Sequence, residues 1–215
     1  MTNMRPLKNP GLKIYIIGVG PGTKEYLLPI ALKQIKAADC LIGAKRILAE
    51  FKSLHKEEFP MEGNLGKIIP FMKKQKGRKR IAVLVSGDSG LYSFLDTISG
   101  KLKKEDYEVI PGISSLQLAF ARIGESWQDA KIISLHGRSV GTLAAQVKRN
   151  QKVFLFTDAE FPPQKIAAYL INKGIDERGV IVLEQLGYPG EKITDTNLKR
   201  LSLMNGFSLC VMIIK

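Results

Sequence analysis

Three short loops contain the residues of this 215-residue chain whose types and spacing could do chemistry. They span residues 18–22, 86–90 and 111–115, and each combines glycine with small or polar residues. Glycine lets the backbone approach a ligand closely, and Asp88 adds a negative charge to the second loop. Each loop alone would be an ordinary turn between a strand and a helix. Since ligands of open α/β sheets bind at the carboxyl ends of strands, the three loops together predict a ligand site.

The apolar runs before these loops predict an α/β fold. Residues 81–85 are all apolar without polar alternation, which is typical of a strand buried on both faces of a parallel sheet. Apolar residues then recur at helical spacing over residues 91–102 and predict a helix. The alternation of strands and helices predicts an N-terminal lobe with a parallel sheet over residues 1–138. The strand-rich remainder predicts a C-terminal lobe with a mixed sheet over residues 139–215.

Several well-known site patterns fit the loops poorly. Gly18 and Gly20 begin a dinucleotide-binding fingerprint, but Thr23 stands where its third glycine belongs. Residues 87–90 match the tetrad around a serine-protease nucleophile, yet a parallel sheet is the wrong setting for that site. The chain has no phosphate-binding Walker loop. No activated nucleophile or general base stands out in the sequence, so the sequence assigns no catalytic residue.

The composition limits the partners and the compartment. A formal charge of +13 suggests an anionic partner, which could be nucleic acid, an acidic membrane or a polyanionic small molecule, or it serves solubility alone. Residues 1–10 lack the apolar stretch of a signal peptide, and no run is apolar enough to span a membrane. Cys40 and Cys210 lie in apolar runs, which is typical of unpaired cysteines in the core of a protein in the reducing cytoplasm. We therefore expect a cytoplasmic protein without a metal site.

The three loops also resemble the motifs of a known family. The motifs that the family shares are Gly-Val-Gly-Pro-Gly at residues 18–22, Ser86-Gly87-Asp88 followed by Tyr92, and Pro-Gly-Ile-Ser-Ser at residues 111–115. In these motifs the chain resembles the tetrapyrrole (corrin/porphyrin) methylases, although Ser89 stands where that family usually has proline. Residues 43–46 and 111–138, ending in Leu-His-Gly-Arg, resemble the branch that methylates a cobalt-precorrin or precorrin ring at C(5) in vitamin B12 biosynthesis.

The resemblance implies a two-lobed fold that binds S-adenosylmethionine between its lobes and forms a homodimer. Carried over by position, the cofactor-binding residues would be Gly87, Asp88, Leu91, Ser114, Ser115, Thr157, Leu186 and Gly187. The residues on the tetrapyrrole side would be Gly20, Pro21 and Gly22. We also expect His136 and Arg138 to face the substrate, since a guanidinium can bind a carboxylate bidentately.

The lack of an obvious nucleophile or base in the sequence agrees with a methyltransferase. In methyl transfer the cofactor brings its own electrophile, and the protein supplies placement and electrostatics. The chain ends at Lys215 with no room for a second catalytic domain, so we expect one methyl transfer without decarboxylation. A separate protein would then methylate C(15) and decarboxylate.

The alternatives are methylation of another corrin carbon or of ribosomal RNA, and a non-catalytic nucleotide- or RNA-binding module. A basic stripe rich in aromatic residues is missing, so we expect no nucleic-acid partner.

Overall fold

The structure is a computed structural model that describes residues 12–62, 65–135 and 140–215. These residues form two compact units, the first ending at Ile113 and the second comprising Ser114–Lys215 with the short segment Pro21–Thr23. The unit boundary therefore falls before Ser114, whereas the sequence pattern predicted it after residue 138. The difference arises because the strand at Lys131–Ser134 pairs with a strand of the second unit and not with the first sheet.

The first unit is built around a parallel sheet of five strands, in the order β3-β2-β4-β1-β5. The strands are β1 (Ile14–Gly18), β2 (Cys40–Gly43), β3 (Glu57–Pro60), β4 (Ile81–Val85) and β5 (Tyr107–Ile110). The helices are α1 (Pro29–Ala37), α2 (Lys45–Ala49), α3 (Leu65–Gln75) and α4 (Leu95–Ser99), with 3-10 turns at Lys24–Tyr26, Lys52–Leu54 and Lys104–Asp106. The parallel α/β sheet predicted from the sequence is confirmed.

Both faces of this sheet are buried, which explains the unbroken apolar runs of its central strands. Every residue of β1 and β4 is buried. On one face, Ile35 of α1 and Leu48 of α2 pack with the side chains of Tyr15 and Ile17. On the other face, Ile68 of α3 packs with the alternate side chains of the same strands. Strand β3 was missed in the sequence, because its two glutamates are exposed and an edge strand need not be apolar.

The helix after β4 is shorter than its apolar spacing predicts. Helix α4 begins only at Leu95, and the preceding residues form turns. The Ser93 hydroxyl donates a hydrogen bond to the Ser89 carbonyl, and its oxygen accepts one from the Leu95 amide at 3.1 Å. Tyr92 has a left-handed backbone, with φ of 48°. A bulky residue with positive φ cannot continue a right-handed helix, so the first turn of the predicted helix is absent.

The second unit contains a mixed sheet in the order β6-β7-β10-β8-β9, as the sequence predicted for the C-terminal lobe. Its strands are β6 (Lys131–Ser134), β7 (Val153–Phe156), β8 (Gly179–Glu184), β9 (Lys192–Asn197) and β10 (Cys210–Ile214). In the part of this unit that the structure describes, β6 and β7 pair in parallel and the other neighbouring strands pair antiparallel. The helices are α5 (Ser115–Ile123), α6 (Leu143–Arg149), α7 (Pro163–Asn172) and α8 (Leu198–Leu201).

One hydrophobic core holds the second unit together. Val147 of α6, Ile166 of α7 and Leu198 of α8 pack with Val153 and Met212 of the sheet. Within the residues that the structure describes, no helix is both long enough and apolar enough to cross a membrane.

Candidate functional site

The loops singled out in the sequence follow neighbouring strands of the first sheet. Strand β1 lies between β4 and β5, and all three run in parallel. Their carboxyl ends therefore open on one edge, and the loops that start there lie together. Gly20 and Gly87 exchange backbone hydrogen bonds of 3.2 and 3.0 Å, which join the first loop to the second.

A close backbone contact connects the three loops within the first unit. A Cβ atom added to Gly112 would lie 2.3 Å from the Gly87 carbonyl oxygen and 2.7 Å from the carbonyl of Gly18. A Cβ atom on Gly18 would likewise lie 2.7 Å from the Gly112 nitrogen and from the Gly87 oxygen. These distances are shorter than real Cβ contacts, so no side chain fits at Gly18 or Gly112. The glycines let the three strand ends approach one another directly.

The Asp88 carboxylate fastens the second loop to the third. Its Oδ1 accepts a hydrogen bond of 2.8 Å from the Gly90 amide, and its Oδ2 accepts one of 3.0 Å from the Gly112 amide. Each oxygen thus holds one backbone donor, the first within its own loop and the second after β5. The sequence could not choose between a structural role for Asp88 and a role facing the ligand. These two hydrogen bonds favour the structural role.

A second connection passes through serine side chains. Ser89 is fully buried, and its hydroxyl donates a hydrogen bond of 2.9 Å to the carbonyl of Ile110, the last residue of β5. Ser93 in turn donates to the carbonyl of Ser89. A proline at position 89 would have no such hydroxyl, so the Ser89 side chain itself ties the loop to β5. The half-buried Leu91 and the exposed Tyr92 lie between the two serines.

We expect Asp88→Asn to lower the free energy of unfolding by about 1–3 kcal/mol, because the amide nitrogen of asparagine faces one of the two backbone donors. It should also weaken cofactor binding, since the second and third loops would separate. Urea denaturation and calorimetry measure both effects. Asp96→Asn on α4 is the matched control, because Asp96 is exposed and should change stability by less than about 0.5 kcal/mol. Equal stability of the two variants would contradict the role of Asp88.

Ser114 and Ser115 begin the first helix of the second unit. The Ser114 hydroxyl accepts a hydrogen bond of 3.1 Å from the Gln117 amide, and the Gln117 side chain accepts one of 2.8 Å from the Ser114 amide. This reciprocal pair is a capping box and occupies the Ser114 side chain. The amides of Ser115 and Leu116 have no acceptor within the helix, so they remain directed out of its positive end.

The other predicted cofactor residues of the second unit lie at strand ends. Thr157 follows β7, and its hydroxyl donates a hydrogen bond of 2.6 Å to the carbonyl of Cys210, the first residue of β10. Leu186 and Gly187 follow β8, and Gly187 accepts a hydrogen bond of 3.0 Å from the Thr23 amide. Strands β7, β10 and β8 are neighbours, so the structure brings these residues to one end of the second sheet.

Two residues predicted to bind the tetrapyrrole also belong to this unit. Gly22 packs against Gly187 so closely that an added Cβ would lie 2.2 Å from its carbonyl carbon and oxygen. Pro21 is buried beside it. Gly22, predicted to lie beside the substrate, and Gly187, predicted to bind the cofactor, are therefore in direct contact. Glu191, which binds the Gly187 amide at 2.7 Å, was not found from the sequence, because a glutamate after a Tyr-Pro-Gly turn has no distinctive pattern.

Neither cysteine is a candidate nucleophile. Burial raises the pKa of the Cys40 thiol to about 12, so it stays protonated at neutral pH. Burial also raises the pKa of Cys210, against a smaller opposite effect of the hydrogen bond with Thr157.

His136 and Arg138, which were predicted from the sequence to face the substrate, lie outside the described residues.

Comparison with known proteins identifies the family. A sequence profile described as Tetrapyrrole (Corrin/Porphyrin) Methylases matches residues 13–202, which include the loops described above and all of the named strands and helices except β10. The chain belongs to the tetrapyrrole methylase family, as its motifs predicted.

Individual curated proteins are also similar to this chain, and their names specify a reaction. The chain is 38% identical over 200 residues to a protein of Methanocaldococcus jannaschii named probable cobalt-precorrin-7 C(5)-methyltransferase, covering 88% of this chain and 91% of that protein. It is 33% identical over 178 residues to the cobalt-precorrin-7 C(5)-methyltransferase of Salmonella typhimurium, covering 83% and 87%. It is 27% identical over 202 residues to a decarboxylating precorrin-6Y C(5,15)-methyltransferase of Sinorhizobium, covering 91% of this chain but 48% of that longer protein.

Solved structures share the fold. The precorrin-6Y methylase of Archaeoglobus fulgidus superposes with a TM-score of 0.73 at 19% identity, covering 95% of this chain and 98% of that one. The uroporphyrin-III C-methyltransferase of Thermus thermophilus in complex with S-adenosylhomocysteine superposes with a TM-score of 0.74 at 19% identity, covering 94% and 91%. At these identities the likeness establishes the architecture alone.

Proposed function

We propose that this protein is an S-adenosylmethionine-dependent methyltransferase of cobalamin biosynthesis that methylates a cobalt-precorrin or precorrin ring at C(5). The observation that carries the proposal is the 38% identity to a relative named for this reaction, over nearly the full length of both proteins. The Methanocaldococcus and Salmonella typhimurium relatives are named for the same substrate and the same ring carbon.

The residues present fit the proposed cofactor in each unit. In the first unit, the close packing of Gly18 and Gly112 with the Gly87 carbonyl fixes the strand-end loops on which the proposed contacts Gly87 and Asp88 lie. In the second unit, the amides of Ser115 and Leu116, which have no acceptor within α5, lie at its positive end and suit a carboxylate such as that of the methionyl group. The remaining proposed contacts are Asp88, Leu91, Ser114, Thr157, Leu186 and Gly187.

The mechanism needs placement more than a reactive side chain. S-adenosylmethionine supplies an electrophilic methyl group when it is bound. The protein's part is to hold the accepting ring carbon in line with that methyl, which can contribute about 7–11 kcal/mol to lowering the barrier. The contacts among Gly18, Gly87 and Gly112, together with Asp88, serve this purpose, because they make the strand-end loops rigid.

The positive charge suits the proposed substrate. Corrin precursors carry several carboxylates, and a chain with a formal charge of +13 attracts a polyanion over a distance. Arg138 and His136 remain proposed contacts for those carboxylates, with Gly20, Pro21 and Gly22 beside the ring. We further propose a cytoplasmic homodimer, supported by the family resemblance, and light scattering of the purified protein tests the dimer.

The reaction product tests the proposal. The purified protein, supplied with cobalt-precorrin-7 and S-adenosylmethionine, should yield a product heavier than its substrate by one methyl group in place of one hydrogen. We expect no loss of carbon dioxide, because the relatives of 38% and 33% identity are named for methylation at C(5) alone. A separate protein would then perform the C(15) step. Mass spectrometry and carbon-13 NMR of the product identify the methylated carbon.

Two outcomes would contradict this assignment. A methyl group on a carbon other than C(5) would agree with the family assignment but would contradict the proposed position of methylation. A doubly methylated product without its acetate carboxyl group, made by this chain alone, would overturn the division between two proteins. Binding of S-adenosylhomocysteine by calorimetry is the simpler first measurement, because a non-catalytic RNA-binding module would not bind it.

A further inference from the structure

Glu191 lies at the centre of a group of contacts in the second unit to which the sequence assigned no role. Its Oε2 accepts a hydrogen bond of 2.7 Å from the Gly187 amide and one of 3.3 Å from Arg122 Nη2. Its Oε1 accepts a second hydrogen bond from Arg122, through Nε. The Glu191 side chain is only 19% exposed, so solvent screens these interactions less than on an open surface. One carboxylate thus joins helix α5, which carries Arg122, to the turn after β8.

The opposite side of Gly187 is also held. Its carbonyl oxygen accepts the hydrogen bond from the Thr23 amide, and Gly22 packs against it without space for a Cβ atom. The Gly187 amide faces Glu191 while its carbonyl faces the segment of residues 21–23. Both peptide groups that flank Gly187 therefore have a set orientation.

The geometry of the peptide bond extends this effect to Leu186. The Gly187 N–H and the Leu186 C=O belong to one planar trans peptide, so they point in opposite directions. When Glu191 holds the N–H, it also sets the direction of the Leu186 carbonyl. Leu186 and Gly187 are both proposed cofactor contacts, so a change at Glu191 would rotate the backbone that meets the ligand.

We propose that Glu191 is a positioning residue for cofactor binding, which orients the Leu186–Gly187 peptide while Arg122 holds its carboxylate in place. The inference rests on the proposed function, because it takes Leu186 and Gly187 as cofactor contacts. The carbonyl of the next peptide, Gly187–Tyr188, accepts the hydrogen bond from the Thr23 amide, so the segment proposed for the tetrapyrrole adjoins the peptide that Glu191 orients.

The charge state of Glu191 supports this role. The hydrogen bond from Arg122 lowers the pKa of Glu191, against an opposing effect of burial and with a further contribution from the Gly187 amide. The carboxylate is therefore ionised at neutral pH, and its bond to the Gly187 amide is charge-assisted. Glutamine has the same size but a single acceptor oxygen, so it cannot satisfy Arg122 and Gly187 in the same way.

Glu191→Gln in the full chain tests the proposal with S-adenosylhomocysteine as the probe. We expect the dissociation constant from calorimetry to rise about tenfold, which is the effect of one lost charge-assisted hydrogen bond. In the methylation assay, the KM for S-adenosylmethionine should rise by a similar factor while kcat changes little. A general loss of structure would instead reduce the active fraction, which lowers apparent kcat and leaves KM unchanged.

The matched control is Glu125→Gln, in the same unit. Glu125 also accepts from a basic side chain, Lys215, and lies 3.6 Å from Lys152, but it touches none of the proposed cofactor residues. Its replacement should alter the melting temperature about as much as Glu191→Gln does, without changing the affinity for S-adenosylhomocysteine. Arg122→Gln is the second variant in case Glu191→Gln does not fold, with an expected loss of about threefold, because the Gly187 bond remains.

The outcomes separate the inference from the proposed function. If the unmodified protein does not bind S-adenosylhomocysteine at all, the proposed function fails. If it binds, and Glu191→Gln and Arg122→Gln bind as tightly as the unmodified protein, the positioning role of Glu191 is wrong. Equal weakening by Glu191→Gln and Glu125→Gln would also overturn it, because the effect would then be one of general stability.

Discussion

Gly112→Ala is expected to lower the free energy of unfolding by about 3 kcal/mol and to abolish methyl transfer. The new methyl group would lie 2.3 Å from the carbonyl oxygen of Gly87 and 2.7 Å from the carbonyl of Gly18. All of these neighbours are backbone atoms near the ends of buried strands, so they cannot move aside as a flexible side chain could. The ends of β1, β4 and β5 would have to separate. The Gly112 amide would then also lose its contact with Asp88.

Gly100→Ala is the control for this variant. Gly100 lies in the same unit, has an ordinary negative φ of −85°, and has no atom within 4 Å of an added Cβ. Its replacement should leave urea denaturation and methyl transfer unchanged. An active Gly112→Ala protein with unchanged stability would show that the three strand ends do not touch as described.

Gly22→Ala is expected to reduce stability by about 3–5 kcal/mol, the sum of backbone strain and a steric clash. Its φ of +73° lies in the left-handed region that L-residues with a Cβ rarely adopt, and the added atom would lie 2.2 Å from the carbonyl of Gly187. The clash would break the hydrogen bond between Thr23 and Gly187. Binding of both cofactor and tetrapyrrole should therefore weaken together, which calorimetry with S-adenosylhomocysteine and the KM for the corrinoid measure.

Gly174→Ala separates the two causes. Gly174 has the same φ of +73° in the same unit, but nothing lies within 4 Å of an added Cβ. It should therefore show the strain alone, about 1–2 kcal/mol, with normal ligand binding. If Gly22→Ala destabilises the protein no more than Gly174→Ala, the close contact between Gly22 and Gly187 is absent in solution.

The sequence by itself determined the class of fold, the family and the position of the loops. Buried parallel strands need apolar residues on both faces, so residues 81–85 show their environment in their composition. Glycine-rich turns after such strands are equally visible in the local sequence, because the backbone freedom of glycine is a property of the residue itself. The motifs at residues 18–22, 86–90 and 111–115 were visible for this reason, and the match of the family profile confirms the family that they indicated.

Only the tertiary structure decided which groups meet. Strand order depends on the packing of the whole sheet, so the sequence could not show that β1 lies between β4 and β5. The two partners of Asp88 illustrate the limit: Gly90 is two residues away, whereas Gly112 reaches it across the sheet. Two other contacts also join residues that are distant in sequence. One is the pairing of β6 with β7, which places the unit boundary before Ser114, and the other is the contact of Glu191 with Arg122. Local sequence encodes burial and backbone freedom, but contacts between distant residues exist only after the chain has packed.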